Sequence, residues 1–274
     1  MHTATHDRRF HDLHAAGILL LANAWDAGSA RIVAALGAPA IATSSAALAW
    51  SQGYPDGGTL PQDKLLAATR SIAAAVDLPL TVDIEDGGDD PAATRTLVHA
   101  VIDAGAVGIN IEDGGSPPEL LCRKIAAARA VARERGIALF VNARTDVFLR
   151  GESPAERRVE ETLARATQYR EAGADGLFVP GLLREDDIEA IAAGAGMPLN
   201  VMALPGLAAP ERLSSLGVRR LSAGSAIGEA AFGTVQAVAE AFLRTGAVTA
   251  PTASPGYAGL NALMSAATHR DGRR

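Results

Sequence analysis

Leu78-Pro79-Leu80-Thr81-Val82-Asp83-Ile84 runs through Glu85-Asp86-Gly87-Gly88 into a stretch of helical period from Pro91 to Ala104, then Gly105, then Gly108-Ile109-Asn110-Ile111-Glu112-Asp113-Gly114-Gly115. A short aliphatic run, a longer amphipathic one and a second short aliphatic run make one β-α-β unit, whose crossover sets the two strands parallel. The same alternation continues in both directions along the chain. Strands are expected at Ile18 to Asn23, Ala38 to Thr43, Leu78 to Ile84, Gly108 to Glu112, Leu139 to Ala143, Gly176 to Val179, Leu199 to Met202 and Arg219 to Ser222. Each precedes an expected helix: Ala27 to Leu36, Pro61 to Ala75, Pro91 to Ala104, Pro118 to Arg135, Pro154 to Ala172, Glu185 to Ala193, Ala209 to Leu216 and Ser225 to Leu243. Pro61, Pro91, Pro118 and Pro154 stand near helix starts, where a missing N–H costs nothing. Gly37, Gly105, Gly136, Gly173 and Gly217 stand just past helix ends, where a left-handed residue is needed. Eight strand-helix units in 274 residues predict a (β/α)8 TIM barrel. An open doubly wound sheet would bring G-x-G-x-x-G after a strand, and the sequence has none.

Hydrophobic residues make up 48% of the chain and charged residues 20%, which excludes wholesale disorder and predicts a packed core. The formal charge of −6 and an isoelectric point near 5.5 disfavour nucleic acid and anionic membrane as partners. Cys122, the one cysteine, has no disulfide mate, and no Cys/His cluster stands at zinc spacing. Apolar runs such as Ile18 to Ala24 fall short of the roughly 20 residues that span a bilayer. Met1 to His14, charged and carrying His2, His6 and His11, lacks the apolar stretch of a signal peptide, so the chain reads as cytoplasmic. The expected organisation is one barrel domain over residues 1–274, with an N-terminal extension at 1–16 and a C-terminal docking segment at 249–274. In that segment a Pro/Gly/Ser/Thr-rich stretch, Thr249 to Gly256, precedes apolar Tyr257 to Ala267, which docks either on a second subunit or on its own barrel.

Barrels of this kind carry their sites at the C-terminal ends of the strands. By strand alternation Asp83 and Glu85 face one way, and Glu112 ends beside them. Three converging carboxylates repel unless protons or a cation intervene, and an oxygen-only donor set favours Mg²⁺ or Mn²⁺ over Zn²⁺. Helix N-capping accounts for such acids equally well. Arg144 closes the fifth strand, where it either neutralises these acids or grips an anionic ligand in two places. Thr43-Ser44-Ser45-Ala46 and Gly53-Tyr54-Pro55-Asp56-Gly57-Gly58 offer hydroxyls and exposed N–H groups that suit a carboxylate, or simply form turns. Asn200 is either a substrate contact or a buried structural hydrogen-bonding group. Gly224-Ser225-Ala226-Ile227-Gly228 has no histidine partner for a nucleophilic serine. Lys64 and Lys124, the only lysines, fall in expected helices remote from strand ends, which disfavours a Schiff-base mechanism. His2, His6, His11, His14, His99 and His269 all lie away from the mouth, and Cys122 reads as a small buried filler.

Taken in order, Asp26-Ala27-Gly28-Ser29-Ala30, Ser44-Ser45, Gly53-Tyr54-Pro55-Asp56, Asp83-Ile84-Glu85-Asp86-Gly87, Ile111-Glu112-Asp113, Ala143-Arg144-Thr145-Asp146 and Tyr169-Arg170-Glu171-Ala172-Gly173-Ala174-Asp175 resemble the isocitrate lyase/phosphoenolpyruvate mutase superfamily, from Leu20 to about Ala231. The resemblance implies a (β/α)8 barrel that exchanges its last helix between subunits and assembles as a dimer or tetramer. It implies Mg²⁺ held by Asp83, Glu85 and Glu112, a substrate carboxylate gripped by Ser44, Ser45 and Ala46, Asp56 orienting metal-bound water, and Arg144 on the oxo-acid end. It also implies chemistry next to a 2-oxo acid through a pyruvate-type enolate. The superfamily's lyases carry a Lys-Lys-Cys-Gly-His loop after the fourth strand, whereas here Gly114-Gly115-Ser116-Pro117-Pro118 leads straight into a helix. That departure argues against isocitrate or 2-methylisocitrate cleavage. The expectation is a Mg²⁺-dependent lyase for an oxaloacetate-like acid. The other reading is a barrel that binds 2-oxoglutarate or pyruvate without turning it over.

Overall fold

The computed structural model describes residues 3–151, 153–248 and 254–265; His2 and, in the expected C-terminal segment, residues 249–253 and 266–274 with His269 lie outside them. The strands are β1 (Leu19–Leu21), β2 (Asn23–Ala24), β3 (Ile41–Thr43), β4 (Leu80–Asp83), β5 (Gly108–Glu112), β6 (Phe140–Arg144), β7 (Gly176–Val179), β8 (Leu199–Met202) and β9 (Val218–Ser222). The α-helices are α1 (Thr3–Asp12), α2 (Ala27–Ala35), α3 (Ser45–Ser51), α4 (Gln62–Ala75), α5 (Pro91–Asp103), α6 (Pro118–Arg135), α7 (Arg158–Ala172), α8 (Glu185–Gly194), α9 (Pro210–Ser215), α10 (Ala226–Thr245) and α11 (Gly256–Ser265). All strand pairs are parallel, in the order β1-β9-β8-β7-β6-β5-β4-β3-β2. β1 pairs only with β9 and β2 only with β3, with Ala22 between them. The first strand, expected unbroken from Ile18 to Asn23, is thus split, and its two halves close the ring as one of eight staves. The chain forms a (β/α)8 barrel.

Side-chain parity divides the sheet cleanly. Leu80, Val82, Ile109, Ile111, Val141, Leu177, Val179, Leu199 and Val201 face outward into the main apolar core. There they pack under helix residues such as Val98, Val101, Ile125, Val131, Tyr169, Ile188 and Ile191. The inward positions carry polar groups in the middle of the barrel, Asn110, Asn142, Asn200 and Arg220, each at most 5% exposed. Below them Phe10, Leu19, Leu21, Ala40, Ala42 and Phe140 form a separate apolar floor.

Phe10 belongs to α1, a helix within the stretch expected only as an extension. It meets Phe140 edge-on at 5.5 Å, and His14 stacks on the same ring at 4.1 Å. Asp7 accepts from the Ala138 N–H at 2.8 Å, so α1 closes the N-terminal end of the barrel. All five expected helix-end glycines have positive φ. A Cβ at Gly105 would stand 2.7 Å from the Cβ of Ala73, so the close approach of α4 also demands glycine there. At the C-terminal side α11 lies against its own α2, with Arg31 Nη1 donating to the Met264 carbonyl at 2.8 Å.

Candidate active site

β4 and β5 deliver the acids. Asp83 ends β4; its Oδ1 accepts from the Glu85 N–H at 3.0 Å and its Oδ2 from Ser45 Oγ at 3.3 Å, while Thr43 Oγ1 accepts from the Asp83 N–H at 2.8 Å. The strand stops there, and the chain turns at Glu85 with φ 52. Alternation therefore does not extend to Glu85 as the sequence suggested. Glu85 lines, with Asp83, Asp86 and Ser45, a cavity of about 180 Å³ next to the mouth, close enough to Asp83 and Asp56 for their charges to act on it. The Thr43-Ser44-Ser45-Ala46 stretch, expected as a bare strand end, opens α3, with Ser44 Oγ capping it by accepting from the Ala47 N–H at 3.3 Å.

Glu112 and Arg144 are paired in register on β5 and β6, so both point inward at the same height. Arg144 Nη1 meets Glu112 at 2.7 Å, its Nε donates to Asp146 Oδ1 at 2.7 Å and its Nη2 to Asp146 Oδ2 at 3.1 Å. Phe178 lies under the guanidinium, 5.8 Å from ring centre to Cζ. Asp146 is itself placed by Asp113, whose Oδ1 accepts from the Asp146 N–H at 3.0 Å. The other Asp113 oxygen accepts from Arg165 at 2.8 Å and from the Tyr169 hydroxyl at 2.7 Å. The Glu112-Asp113 and Tyr169 motifs are thus two halves of one buried clamp that aims Arg144.

A cavity of about 170 Å³ opens at the mouth, below the roughly 300 Å³ lower bound usual for drug-sized ligands. Ser44, Ser45, Ala46, Asp56, Asp83 and Arg144 line it, as the sequence suggested. Asn23, Asn110, Ser222 and Phe178 line it too and were not singled out from sequence. They share inward parity on their strands, which is the signal that would have found them. Asn200 is 1% exposed and sits beneath the cavity, accepting from Ser222 Oγ at 3.1 Å. Lys124, expected remote from strand ends, sends its buried ammonium to the Asp86 carbonyl at 2.7 Å, just past β4. Ser225 lines the mouth, with its hydroxyl donating to Glu229 at 2.6 Å.

Burial raises the Asp83 carboxyl above the usual range against the pull of Arg144. Burial, with Asp83 and Asp56 nearby, pushes Glu85 up to about 7. Glu112 rises to about 8: burial and the charges of Asp83, Asp146 and Glu85 outweigh Arg144. Burial alone would lower Arg144, but Glu112 and Asp146 hold it above its ordinary value and fully charged. One cation thus faces a surplus of acids.

The family model described as phosphoenolpyruvate phosphomutase matches residues 10–243. The chain belongs to this family. Among relatives of the phosphoenolpyruvate phosphomutase family, a crystal structure from Burkholderia cenocepacia J2315, named only provisionally as a lyase or mutase, superposes with TM-score 0.88 at 34% identity, covering 97% of each chain. An oxaloacetate decarboxylase of Bradyrhizobium sp. (strain ORS 278) is 31% identical over 203 residues, 70% of this chain and 67% of that protein. A phosphonopyruvate hydrolase, complexed with oxalate and Mg²⁺, has TM-score 0.81 at 26% identity over 94% of each chain.

Asp83, Glu85 and Glu112 fit a hard divalent cation in donor chemistry, all oxygen, and in charge, since burial and mutual repulsion leave them short of positive partners. Among the described residues, however, no group of three or more His, Cys, Asp or Glu side chains is already gathered closely enough to hold an ion. Glu112 is paired with Arg144, and the chain turns at Glu85 with positive φ. No helix among the described residues is long and apolar enough to cross a membrane.

Proposed function

We propose that this member of the family is a lyase that decarboxylates, or cleaves a C–C bond of, a small 2-oxo or 2-hydroxy di- or tricarboxylic acid of oxaloacetate type, with Mg²⁺ as its cofactor. The observation that carries this reading is Arg144, fixed by Glu112 and Asp146 at the wall of a small polar cavity that also holds Asp83. The oxaloacetate decarboxylase relative and the oxalate and Mg²⁺ complex of the hydrolase support the substrate class and the ion.

Asp83, Glu85 and Glu112 would hold Mg²⁺, which supplies a Lewis acid for the oxo and carboxylate oxygens of the substrate. Arg144 keeps a second N–H on each of Nη1 and Nη2 after meeting its acids, enough for two oxygens of the oxo-acid end. Because Phe178 and Asp146 hold it still, its charge is already in place where an enolate oxygen becomes negative. Ser44, Ser45 and Ala46 grip a carboxylate, and exposed Asp56 holds water at the open side. The connection from β5 to α6 spans only residues 113–117 and turns on the Ser116 N–H to Asp113 carbonyl bond of 2.7 Å. It brings no cysteine, histidine or lysine to the mouth, which disfavours isocitrate and 2-methylisocitrate as substrates. The same short connection favours a second reading, a barrel that binds 2-oxoglutarate or pyruvate without turnover.

NMR-monitored turnover of a panel of 2-oxo and 2-hydroxy di- and tricarboxylic acids with Mg²⁺ separates the two. The lyase reading expects pyruvate or glyoxylate from one acid with the wild type and none above the Mg²⁺ blank with Asp83→Ala. Binding without product, lost in Asp83→Ala, would establish the second reading instead.

A further inference from the structure

The middle of a (β/α)8 barrel is ordinarily filled by branched apolar side chains. Here it holds a guanidinium. Arg220 on β9 is 1% exposed; its Nε donates to Ser222 Oγ at 3.1 Å and its Nη2 to Asn110 Oδ1 at 3.2 Å, while buried Nη1 has no hydrogen-bond partner among the described residues. Burial pulls this group down to about 9, with only Asp83 pulling back. A buried cation with a donor unused is costly to keep, and floor packing alone does not account for it.

Its donors settle how two amides are turned. A guanidinium cannot accept, so the Asn110 atom it meets is the carbonyl oxygen. That same oxygen lies 2.9 Å from the Asn142 amide, which must then present its Nδ2. The Asn142 oxygen is consequently turned toward β7, where a Cβ on Gly176 would stand 2.8 Å from it; glycine leaves the room. What remains of Asn110 is Nδ2, with both N–H bonds and no acceptor among the described residues, on a residue that lines the mouth cavity.

We propose that Arg220 is a positioning residue that turns the Asn110 amide so that its Nδ2 donors project into the mouth and bind an oxygen of the anionic ligand. This rests on the mouth being the site for a small acid. At that point of the cavity the Asn110 Nδ2 group offers only N–H bonds, which pair with a carbonyl or carboxylate oxygen and not with an ammonium, so the position favours a 2-oxo acid over a 2-amino acid.

The test uses the full-length protein, Mg²⁺ and oxalate as the probe. Selective ¹⁵N labelling of asparagine identifies the Asn110 side-chain signal by its loss in Asn110→Ser, and calorimetry gives oxalate affinity for the wild type, Arg220→Met and Arg220→Gln. The expected result is a shift of the Asn110 NH₂ signal on oxalate addition, a tenfold or larger loss of affinity in Arg220→Met, and affinity within about threefold of wild type in Arg220→Gln, whose amide still donates to Asn110. A merely structural arginine would move the melting temperature but leave the NH₂ shift and the affinity of folded protein alone. An unshifted Asn110 signal in a wild type that binds oxalate overturns the inference and leaves the proposed function standing, whether or not Arg220→Met folds. Unchanged affinity in Arg220→Met does the same. Absence of oxalate binding by the wild type with Mg²⁺ overturns both.

Discussion

Tyr169→Phe removes one oxygen atom from the interior, and the structure says what that oxygen does. The hydroxyl donates at 2.7 Å to Asp113 Oδ2, with Tyr169 0% and Asp113 1% exposed. Asp113 keeps two further donors, Arg165 Nη1 at 2.8 Å and the Asp146 N–H at 3.0 Å, so the carboxylate is left under-satisfied rather than bare. A buried hydrogen bond to a charged group contributes about 1.5–3 kcal/mol, and phenylalanine fills the same volume, so no cavity term adds to it. The expected loss is about 2 kcal/mol, or roughly 3–4 °C in melting temperature for a chain of this size. Urea denaturation followed by circular dichroism measures it, with an unchanged slope against denaturant. Asp113→Ala removes the acceptor itself, so the Tyr169 hydroxyl loses its acceptor and Arg165 one of its two carboxylates, which raises the loss to about 3–5 kcal/mol. A Tyr169→Phe loss below about 0.5 kcal/mol would mean that the Asp113 clamp is not the dry, fully engaged unit that aims Asp146 and Arg144.

Three other outcomes follow from the same geometry. His14 is held down to about 3 by burial and by Arg220, so the unfolded chain takes up its proton first and stability falls as pH drops through 6.5 toward 3. By pH 5 this group removes about 2 kcal/mol, and His14→Gln should flatten the stability curve between pH 6.5 and 5 by that amount; parallel curves would contradict it. With Glu85 pushed up to about 7 and Glu112 to about 8, Mg²⁺ binding at the proposed ligands would expel protons at neutral pH, so its affinity should rise with pH up to about 8 and level off above. Calorimetry in buffers of different ionisation heat counts those protons at pH 7, and a count of zero would be the wrong answer. α10 and α11 expose Val235, Phe242, Leu243 and Tyr257, at 64, 50, 84 and 85%, so light scattering should find a dimer or larger species and not a monomer.

The barrel was readable because its outer faces repeat: β5, β7, β8 and α6 stand at the residues their aliphatic and helical periods indicate. What local pattern could not carry was closure. The break at Ala22 exists because the first stave must pair with β9 on one side and β3 on the other, a constraint between residues about 200 apart in sequence. α3 was hidden for a different reason: Ser-Ala-Ala-Leu-Ala-Trp-Ser buries four of its residues and so has no polar face to set a period. α1 is the reverse case, a polar segment held by buried Phe10 and by Asp7 on the Ala138 N–H. In the site, Asp83 and Arg144 fell on strand ends and were legible, whereas strand alternation could not place Glu85, since the strand ends at Asp83 and the chain turns at Glu85. Asn110 and Arg220 went unread because each looks like an ordinary strand residue until the two strands meet across the barrel. Tyr169 and Asp113 stand 56 residues apart and were visible only as fragments of a resemblance, without the contact that joins them.

In the proposed function the mouth turns over an oxaloacetate-like acid by means of Arg144. Its most direct test is the rate of pyruvate release from oxaloacetate at saturating Mg²⁺, compared among wild type, Arg144→Met, Arg144→Lys and a protein-free Mg²⁺ blank. The expected result is a wild-type rate well above the blank, a fall in kcat/KM of about a hundredfold or more in Arg144→Met, and partial retention in Arg144→Lys. A wild-type rate equal to the blank, or an Arg144→Met variant that keeps the wild-type rate, would contradict it.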